Sequence, residues 1–523
     1  MICWGFYFIS KTVLYLGGHL KFDPWLNALL ALFVLMPLKT GKLMGWTPGK
    51  KDPTRSLHRA SGIPLALMLV WHESYLPSFT KVQEFLGDPA IRPSLRFQLE
   101  FLASRFSQGA LLGGAVIFCA AFFLSRLKRA WIFHVILPVL AALIHRGWSV
   151  SNHSAPRPEL LEIREPAPEL ADRIEPLSPD ARPFDLILLQ VCSLSLDDLS
   201  RSGSRNHRFF SNFDAFFTSF NTRTSYSTPA ALRLLRSNCA QASNDSLYRT
   251  APPECLLLEN LREAGFATST VFNHEGPHAR KMAEELKRFA AADLPMPLRG
   301  LEPSMTGYSG EPVYKNDEVL ERWWKQRLES KAQSSALFYN TISLHAGNHF
   351  LNRPGKWWER KPLEAYGSAL EATLGELDSF FRTLERSGRD SLVIMVSEHG
   401  ANLAGSTIQG PDLREIPLPA ITLVPMGVKW IGKGWKAGPR FETGQTVSYP
   451  ELVALVRQTI RQRNRTALSR ATAVGTPPLI AEKGFFAENE NSTVVSGLDG
   501  LYYRGADRNW WALPEEVSKE QPL

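Results

Sequence analysis

The distribution of apolar residues divides the chain near Ile144. Before it lie five long apolar runs: Trp4–Leu20, Trp25–Leu38, Ser61–Leu76, Gly109–Leu124 and Ala130–Ile144. Runs of this kind predict a bundle of about five transmembrane helices, the short second run being suited to a tilted or re-entrant segment. After Ile144, strand-like runs alternate with amphipathic stretches, the pattern of a mostly parallel sheet with helices on both faces. The expected strands are Leu186–Val191, Thr268–Phe272, Ala336–Ile342, Leu392–Val396 and Ile421–Val424. The clearest helix spans Leu363–Arg386, with Tyr366, Leu370, Leu374, Leu377, Phe381 and Leu384 on one stripe and a stop at Ser387-Gly388. Leu498–Arg504 predicts a hairpin turning on Asp499-Gly500. Residues 149–183 are rich in Pro, Glu and Arg with little apolar repeat, and predict a semi-extended tether with room for a short surface helix. Three parts follow: a transmembrane domain over 1–148, the linker, and a globular α/β domain over 184–523.

Charge fixes the orientation. The net charge is +8, and Lys39, Lys42, Lys50, Lys51, Arg55 and Arg59 follow the second run while Arg126, Lys128 and Arg129 follow the fourth. With five spans both basic loops fall on one side, so the N-terminus is cytoplasmic and everything beyond Ile144 lies outside. The basic excess is thus a topology signal and not a nucleic-acid footprint, and no glycine-rich nucleotide loop is present. The first run lacks a basic lead and is followed by further spans, which argues against a cleaved signal peptide. Lys11, His72, Glu73 and His134 sit in or beside apolar runs, where either a function or an interfacial position accounts for them.

In an open sheet, ligands bind beyond the carboxyl ends of the strands. Cys192 follows the first expected strand, His345 the third, and Glu398-His399-Gly400 the fourth. A thiolate, a carboxylate and an imidazole make a plausible zinc set. Ser227 precedes Thr228-Pro229 at a helix entry, where unpaired amides favour loss of the hydroxyl proton and later hold a phosphate. Singly, each residue is as well explained by packing; their joint occurrence at strand ends and a helix start points to phosphoryl transfer through an activated serine. His345 and His349 are placed to protonate a leaving alkoxide or hold a headgroup, and Arg414 to grip phosphate oxygens or to pair with a neighbouring glutamate. The pairs Trp357-Trp358 and Trp510-Trp511 suit stacking on sugar rings, with packing the favoured reading.

These motifs, Cys192-Ser193-Leu194-Ser195, Thr224-Ser225-Tyr226-Ser227-x-Pro229-Ala230-Ala231, Phe338-Tyr339-Asn340-Thr341 with Leu344-His345-x-Gly347-Asn348-His349, and Glu398-His399-Gly400, resemble the BcsG family. That family comprises cellulose phosphoethanolamine transferases of Gram-negative cellulose secretion, within the alkaline-phosphatase-like superfamily. The resemblance implies an α/β/α sandwich outside the inner membrane, in the periplasm. It implies a zinc-dependent transfer of phosphoethanolamine from phosphatidylethanolamine, through a phosphoserine-type intermediate, to glucosyl hydroxyls of cellulose. Ser227 takes the place of the nucleophile and a metal ligand, Cys192, Glu398 and His399 those of the other zinc ligands, and Tyr226, His345 and Arg414 those of catalytic neighbours. Asn348 and His349 fall where substrate is held, and other cellulose-synthase subunits are the implied partners. Cys239 and Cys255 are expected to form a disulfide in the oxidising compartment. Ala231 stands where a related sulfatase needs arginine, so conversion to formylglycine is not expected. Two other readings remain at this stage: transfer to another periplasmic acceptor, such as lipid A or a different glycan, and a membrane scaffold of the secretion complex.

Overall fold

The computed structural model describes residues 2–16, 20–35, 53–74, 82–83, 87–88, 92–99, 139–140, 144 and 173–517, except 240, 353–361, 437, 467–469, 474–483, 498–499, 506–509 and 516. Two compact units are resolved: 1–82 with 101–157 and 405–410, and 83–100 with 158–404 and 411–523.

The first unit contains helices α1 (Ile2–Leu16), α2 (Pro24–Leu35) and α3 (Pro53–Glu73). Among the described residues no helix is long and apolar enough to cross a membrane. The fourth expected span lies outside the described residues, as does all but three positions of the fifth. Trp4, Phe8, Val34 and Leu69 pack together, and at the same time Lys11 and Glu73 are buried as an ion pair. Asn27 ties the pair to α2, accepting from Lys11 Nζ at 2.6 Å, while the amide of Asp23 donates to Glu73 Oε1 at 2.7 Å. Trp25, Leu29, Leu32, Leu67 and Met68 face outwards, each more than 60% exposed. Among the described residues of this unit, one buried ion pair thus sits within an apolar core, and large apolar side chains are left exposed.

The second unit is built on a seven-stranded sheet of β1 (Asp185–Val191), β2 (Ala215–Asn221), β3 (Phe266–Phe272), β4 (Ser334–Thr341), β5 (Ser391–Ser397), β6 (Leu423–Ile431) and β7 (Phe441–Thr443). Their spatial order is β7-β2-β6-β5-β1-β4-β3. The centre β5-β1-β4-β3 is parallel, and β6 runs antiparallel to both its neighbours, so the sheet is mixed. Alternate side chains of the buried strands supply two cores. Leu186, Leu188, Phe338 and Ile394 face α4 (Ser227–Leu235), α5 (Pro277–Ala290) and α8 (Tyr449–Arg465). Ile187, Leu189, Tyr339 and Met395 face α6 (Asn316–Glu329) and α7 (Pro362–Ser387). Three layers result because period-two alternation in a strand covered on both sides needs an apolar helix stripe against each face.

Four of the five expected strands are found within two residues of their predicted ends. The fifth, expected at Ile421–Val424, begins at Leu423 and continues to Ile431 through Pro425, Gly427 and Lys429. The strand tolerates Gly427 because the Phe213 ring lies over it, 2.5 Å from where a Cβ would stand. Strand β2 is not among the strands expected from sequence. The long helix is found as Pro362–Ser387, followed by Gly388 at φ +70°. The C-terminal hairpin is also found, with Ser496 opposite Leu501, in a four-stranded antiparallel sheet of Phe486–Asn489, Ser492–Ser496, Leu501–Arg504 and Trp510–Ala512. Its turn residues 498–499 lie outside the described residues, as do Trp357, Trp358 and linker residues 149–172; residues 173–183 carry no helix. Trp510 pairs opposite Arg504, whose guanidinium lies 4.9 Å from the indole centre.

Candidate active site

The carboxyl ends of β1, β4 and β5 bring three loops together. The loop after β1 carries Cys192 and is fixed by its amide donating to Thr341 O at 3.0 Å. Ser193 follows in the left-handed region at φ 60°, a backbone state uncommon for serine and concentrated at functional turns. The loop after β5 carries Glu398 and His399 and is stitched to the first: Glu398 N donates to Val191 O and Leu194 N donates to His399 O, each at 2.8 Å. Asp198 completes the seam, accepting from Ser195 Oγ at 2.8 Å and from Ala401 N at 2.6 Å. Gly400 has no room for a side chain, since a Cβ there would stand 2.6 Å from Ser195 Oγ.

Cys192, Glu398 and His399 are each buried, with ligating atoms all within 4.8 Å of one another. His399 Nε2 lies 3.9 Å from Cys192 Sγ and 3.7 Å from Glu398 Oε2. Ser227, at the first turn of α4, approaches the same nitrogen at 3.2 Å and the thiol at 3.9 Å. Ligand atoms about 2.0–2.3 Å from a tetrahedral zinc are separated by about 3.3–3.6 Å, so these spacings suit one shared ion. A second observation agrees: Glu398 Oε2 is buried without a hydrogen-bond partner, while Oε1 accepts from Asn340 Nδ2. An unpartnered carboxylate oxygen beside a thiol and an imidazole is what a cation site presents when only protein atoms are counted. The His399 tautomer fits as well, because Nδ1 lies 2.9 Å from Gly400 O and donates there, leaving the Nε2 lone pair towards the cluster.

The electrostatics point the same way. Burial, with the Glu398 charge added, pushes the Cys192 thiol up to about 12. Burial also raises Glu398, while burial and the Arg414 cation hold His399 well below the usual histidine range. Both potential anions are thus disfavoured until a cation compensates them.

Arg414 spans the front of the cluster. Its Nη1 donates to Ser193 Oγ at 3.2 Å and its Nη2 lies 3.2 Å from His345 Nε2. His345 Nδ1 is 2.8 Å from Ala346 O, so the proton sits on Nδ1 and Nε2 is the accepting atom. Burial and Arg414 lower this imidazole to about 3, keeping it unprotonated at neutral pH. Tyr226 caps α4, so Ser227 is the first helical residue and Pro229 the third. The Tyr226 hydroxyl donates to Glu415 Oε2 at 2.5 Å, and burial followed by that carboxylate raises it well above the usual range. Asn348 donates from Nδ2 to Ile342 O at 2.6 Å and so shapes the loop, and His349 Nδ1 lies 3.2 Å from Arg96 Nη2. Cys239 and Cys255 form a disulfide.

Residues not singled out by sequence complete the site. Asn340, opposite Gln190 in the sheet, orients Glu398; its signal was an amide inside an apolar strand. Asn489, at the end of strand Phe486–Asn489 in the C-terminal four-stranded sheet, accepts from Thr224 Oγ1 at 2.9 Å and donates to Ser225 Oγ at 2.7 Å, bracing the entry to α4. Glu488 pairs with Arg233, buried in α4, at 3.0 Å. Tyr308 stacks on His345 with centroids 4.5 Å apart. Nothing local in the sequence marks these last three.

The N-terminal domain model of the cellulose biosynthesis protein BcsG matches residues 4–145, and its C-terminal domain model matches residues 170–510. Cellulose biosynthesis protein BcsG of Escherichia coli K12 is 31% identical over 563 aligned positions, covering 98% of this chain and 96% of that protein. The Salmonella typhimurium LT2 protein of the same name is 30% identical over 560, with the same coverage. Among solved structures, the C-terminal periplasmic domain of EcEptC from Escherichia coli, in complex with Zn, is 16% identical. The match covers 60% of this chain and 94% of that one at a TM-score of 0.43, a likeness too slight to bear on the site. With both family models matched in order along the chain and a relative above 30% identity over nearly all of it, the chain belongs to the BcsG family of cellulose biosynthesis proteins.

Proposed function

We propose that this chain is a membrane-anchored, zinc-dependent phosphoethanolamine transferase of the bacterial inner membrane, with residues 184–523 acting in the periplasm. The donor is phosphatidylethanolamine and the acceptor a glucosyl hydroxyl of cellulose, delivered by the other subunits of the cellulose-synthase complex. One observation carries the chemistry: a helix-start serine lies within ligand distance of a buried Cys-Glu-His trio that includes an unpartnered carboxylate oxygen. Cys192, Glu398, His399 and Ser227 would hold the ion, and the soft thiolate among them favours zinc over harder cations. Bound there, zinc supplies charge that lowers the pKa of the serine hydroxyl and offsets charge on the transferring group.

The protein's own groups do the rest. Ser227 Oγ attacks phosphorus as it gives up its proton, the bond to the diacylglycerol oxygen breaks, and that oxygen takes up the proton Ser227 has lost. The glucosyl oxygen then attacks the phosphoserine, Ser227 departs, and the sugar proton passes to His345 Nε2. Arg414, reaching from Ser193 to His345, offers two parallel donors to phosphoryl oxygens. A phosphoryl group that draws off this cation raises the basicity of His345 as the second step needs it. The Tyr226–Glu415 bond and the Asn489 brace hold the helix entry so that Ser227 keeps its aim. Anchoring is supported by the apolar outer surface of α2 and α3 around a buried Lys11–Glu73 pair and by the basic loops of the sequence.

The test is mass spectrometry and solid-state NMR of polymer secreted by cells carrying wild-type or Ser227→Ala protein. Phosphoethanolamine on cellulose from the wild type alone is expected. Unmodified cellulose in both, with lipid A or another glycan labelled instead, rejects this acceptor. A His345→Ala protein should accumulate the Ser227 adduct; failure to find it at any time point rejects the covalent route.

A further inference from the structure

The segment 92–99, which lies in sequence between the third and fourth apolar runs, belongs to the compact unit of the sheet. Ser94 starts a helical turn there, its hydroxyl accepting from Phe97 N at 3.2 Å, and its own amide donates to Tyr308 O at 2.9 Å. Phe97 meets the Tyr308 ring edge-on at 6.2 Å and 69°. On its other side the ring fills the space over Gly347: a Cβ there would stand 2.2 Å from Phe97 Cδ2 and 3.1 Å from Tyr308 Cβ. Gly347 has φ +87°, so glycine is required both by backbone conformation and by the ring above it. A further contact holds the segment, Arg96 to His349 at 3.2 Å, and Asp88, which precedes it in sequence, pairs with Lys281 at 2.8 Å.

We infer that Phe97 is a positioning residue for His345. The ring is wedged between Gly347, two residues beyond His345 on the same loop, and Tyr308, whose ring stacks on the imidazole at 4.5 Å and 23°. Removing the wedge frees the loop and the stacking ring together, and Nε2 loses its fixed aim. Displacement of a reacting group by about 1 Å lowers rates by up to about a hundredfold without weakening substrate binding. The two halves of the sequence are coupled thereby: a segment encoded amid the apolar runs sets the geometry of a catalytic loop encoded 250 residues later. The inference rests on the role given to His345 above.

The experiment is a double-mutant cycle in the full-length, detergent-solubilised protein, with Phe97→Ala and His345→Ala alone and together, and phosphatidylethanolamine in mixed micelles as donor. Phe97→Ala is expected to lower kcat by about tenfold or more with KM for the lipid and bound zinc unchanged, while Phe97→Leu restores most of the rate. In the His345→Ala background Phe97→Ala should cost less than about twofold, because the group it positions is gone. The same loss in both backgrounds, an unchanged kcat, or a fall in zinc content overturns the inference. Should Phe97→Ala not purify, Phe97→Val is cycled in its place under the same criteria. A wild-type kcat in His345→Ala alone withdraws the base and this inference together, whereas no transfer by the wild type itself refutes the donor assignment.

Discussion

Loading of the metal site should release protons, and the structure sets how many. Among the protein groups themselves, the Cys192 thiol is pushed up to about 12 by burial and by Glu398. Ionising it at pH 7 costs about 5 pH units, or about 7 kcal/mol at about 1.4 kcal/mol per unit, which the bound cation must supply. His399 is already neutral, since burial and Arg414 lower its pKa, so it releases nothing. Glu398, raised by burial, adds a second proton wherever the pH lies below its shifted value. Zinc affinity should therefore strengthen about tenfold per pH unit where Glu398 is already ionised, and more steeply below its shifted value. Chelator competition at each pH gives the slope, and calorimetry in buffers of different ionisation enthalpy counts the protons. Cys192→Ser should bind more weakly with one proton fewer released, and Cys192→Ala more weakly still. A pH-independent affinity in the wild type, or full zinc retention in Cys192→Ala, would refute the reasoning.

Four further outcomes are expected. The Cys239–Cys255 bridge closes a loop of sequence separation 16, so opening it should cost about 3 kcal/mol and speed proteolysis between these residues; an unchanged cleavage rate under reductant counts against this. Asp198→Ala removes the acceptor shared by Ser195 and Ala401, and should destabilise by about 2 kcal/mol or more while weakening zinc binding, read by thermal shift and metal titration. His278 is lowered to about 4 by burial, Lys281 and Arg414, below its unfolded value near 6.5. The neutral form favoured by the fold makes its contribution complete above pH 6.5 and loses up to about 3 kcal/mol as the pH falls to 4; denaturation of His278→Gln beside wild type should show the gap between them closing or reversing in acid by that amount. Glu73→Met strands the buried Lys11 ammonium and should cost about 3–5 kcal/mol of thermal retention in detergent, much of it recovered in Lys11→Met/Glu73→Met; equal losses in both argue against the pair.

Sequence reading reached those features whose cause is local. Strands β1, β3, β4 and β5 are unbroken apolar runs, and the residues just beyond them converge because parallel strands present their carboxyl ends at one edge of a sheet. Cys192, His345, Glu398 and His399 could be named on that basis. Strand β2, Ala-Phe-Phe-Thr-Ser-Phe-Asn, eluded the pattern because polar residues interrupt its apolar run and its neighbour β6 is antiparallel. Strand β6 runs beyond the expected Val424 through Pro425 and Gly427, poor strand residues on their own, because tertiary packing of Phe213 makes glycine the residue that fits. The site's remote supports were invisible for another reason. Tyr308, Asn489 and Phe97 are brought to it by tertiary contacts with residues 37, 264 and 250 positions away, and no spacing rule links positions so far apart.

The hairpin that carries Glu488 and Asn489 has one more implication. A chain that emerges from its N-terminus possesses every ligand of the metal cluster before this hairpin exists, and the entry to the serine-bearing helix, held also by the Tyr226–Glu415 bond, gains its Asn489 and Glu488 contacts only afterwards. During biosynthesis the polypeptide thus carries its full ligand set before these two contacts on the nucleophile's helix can form.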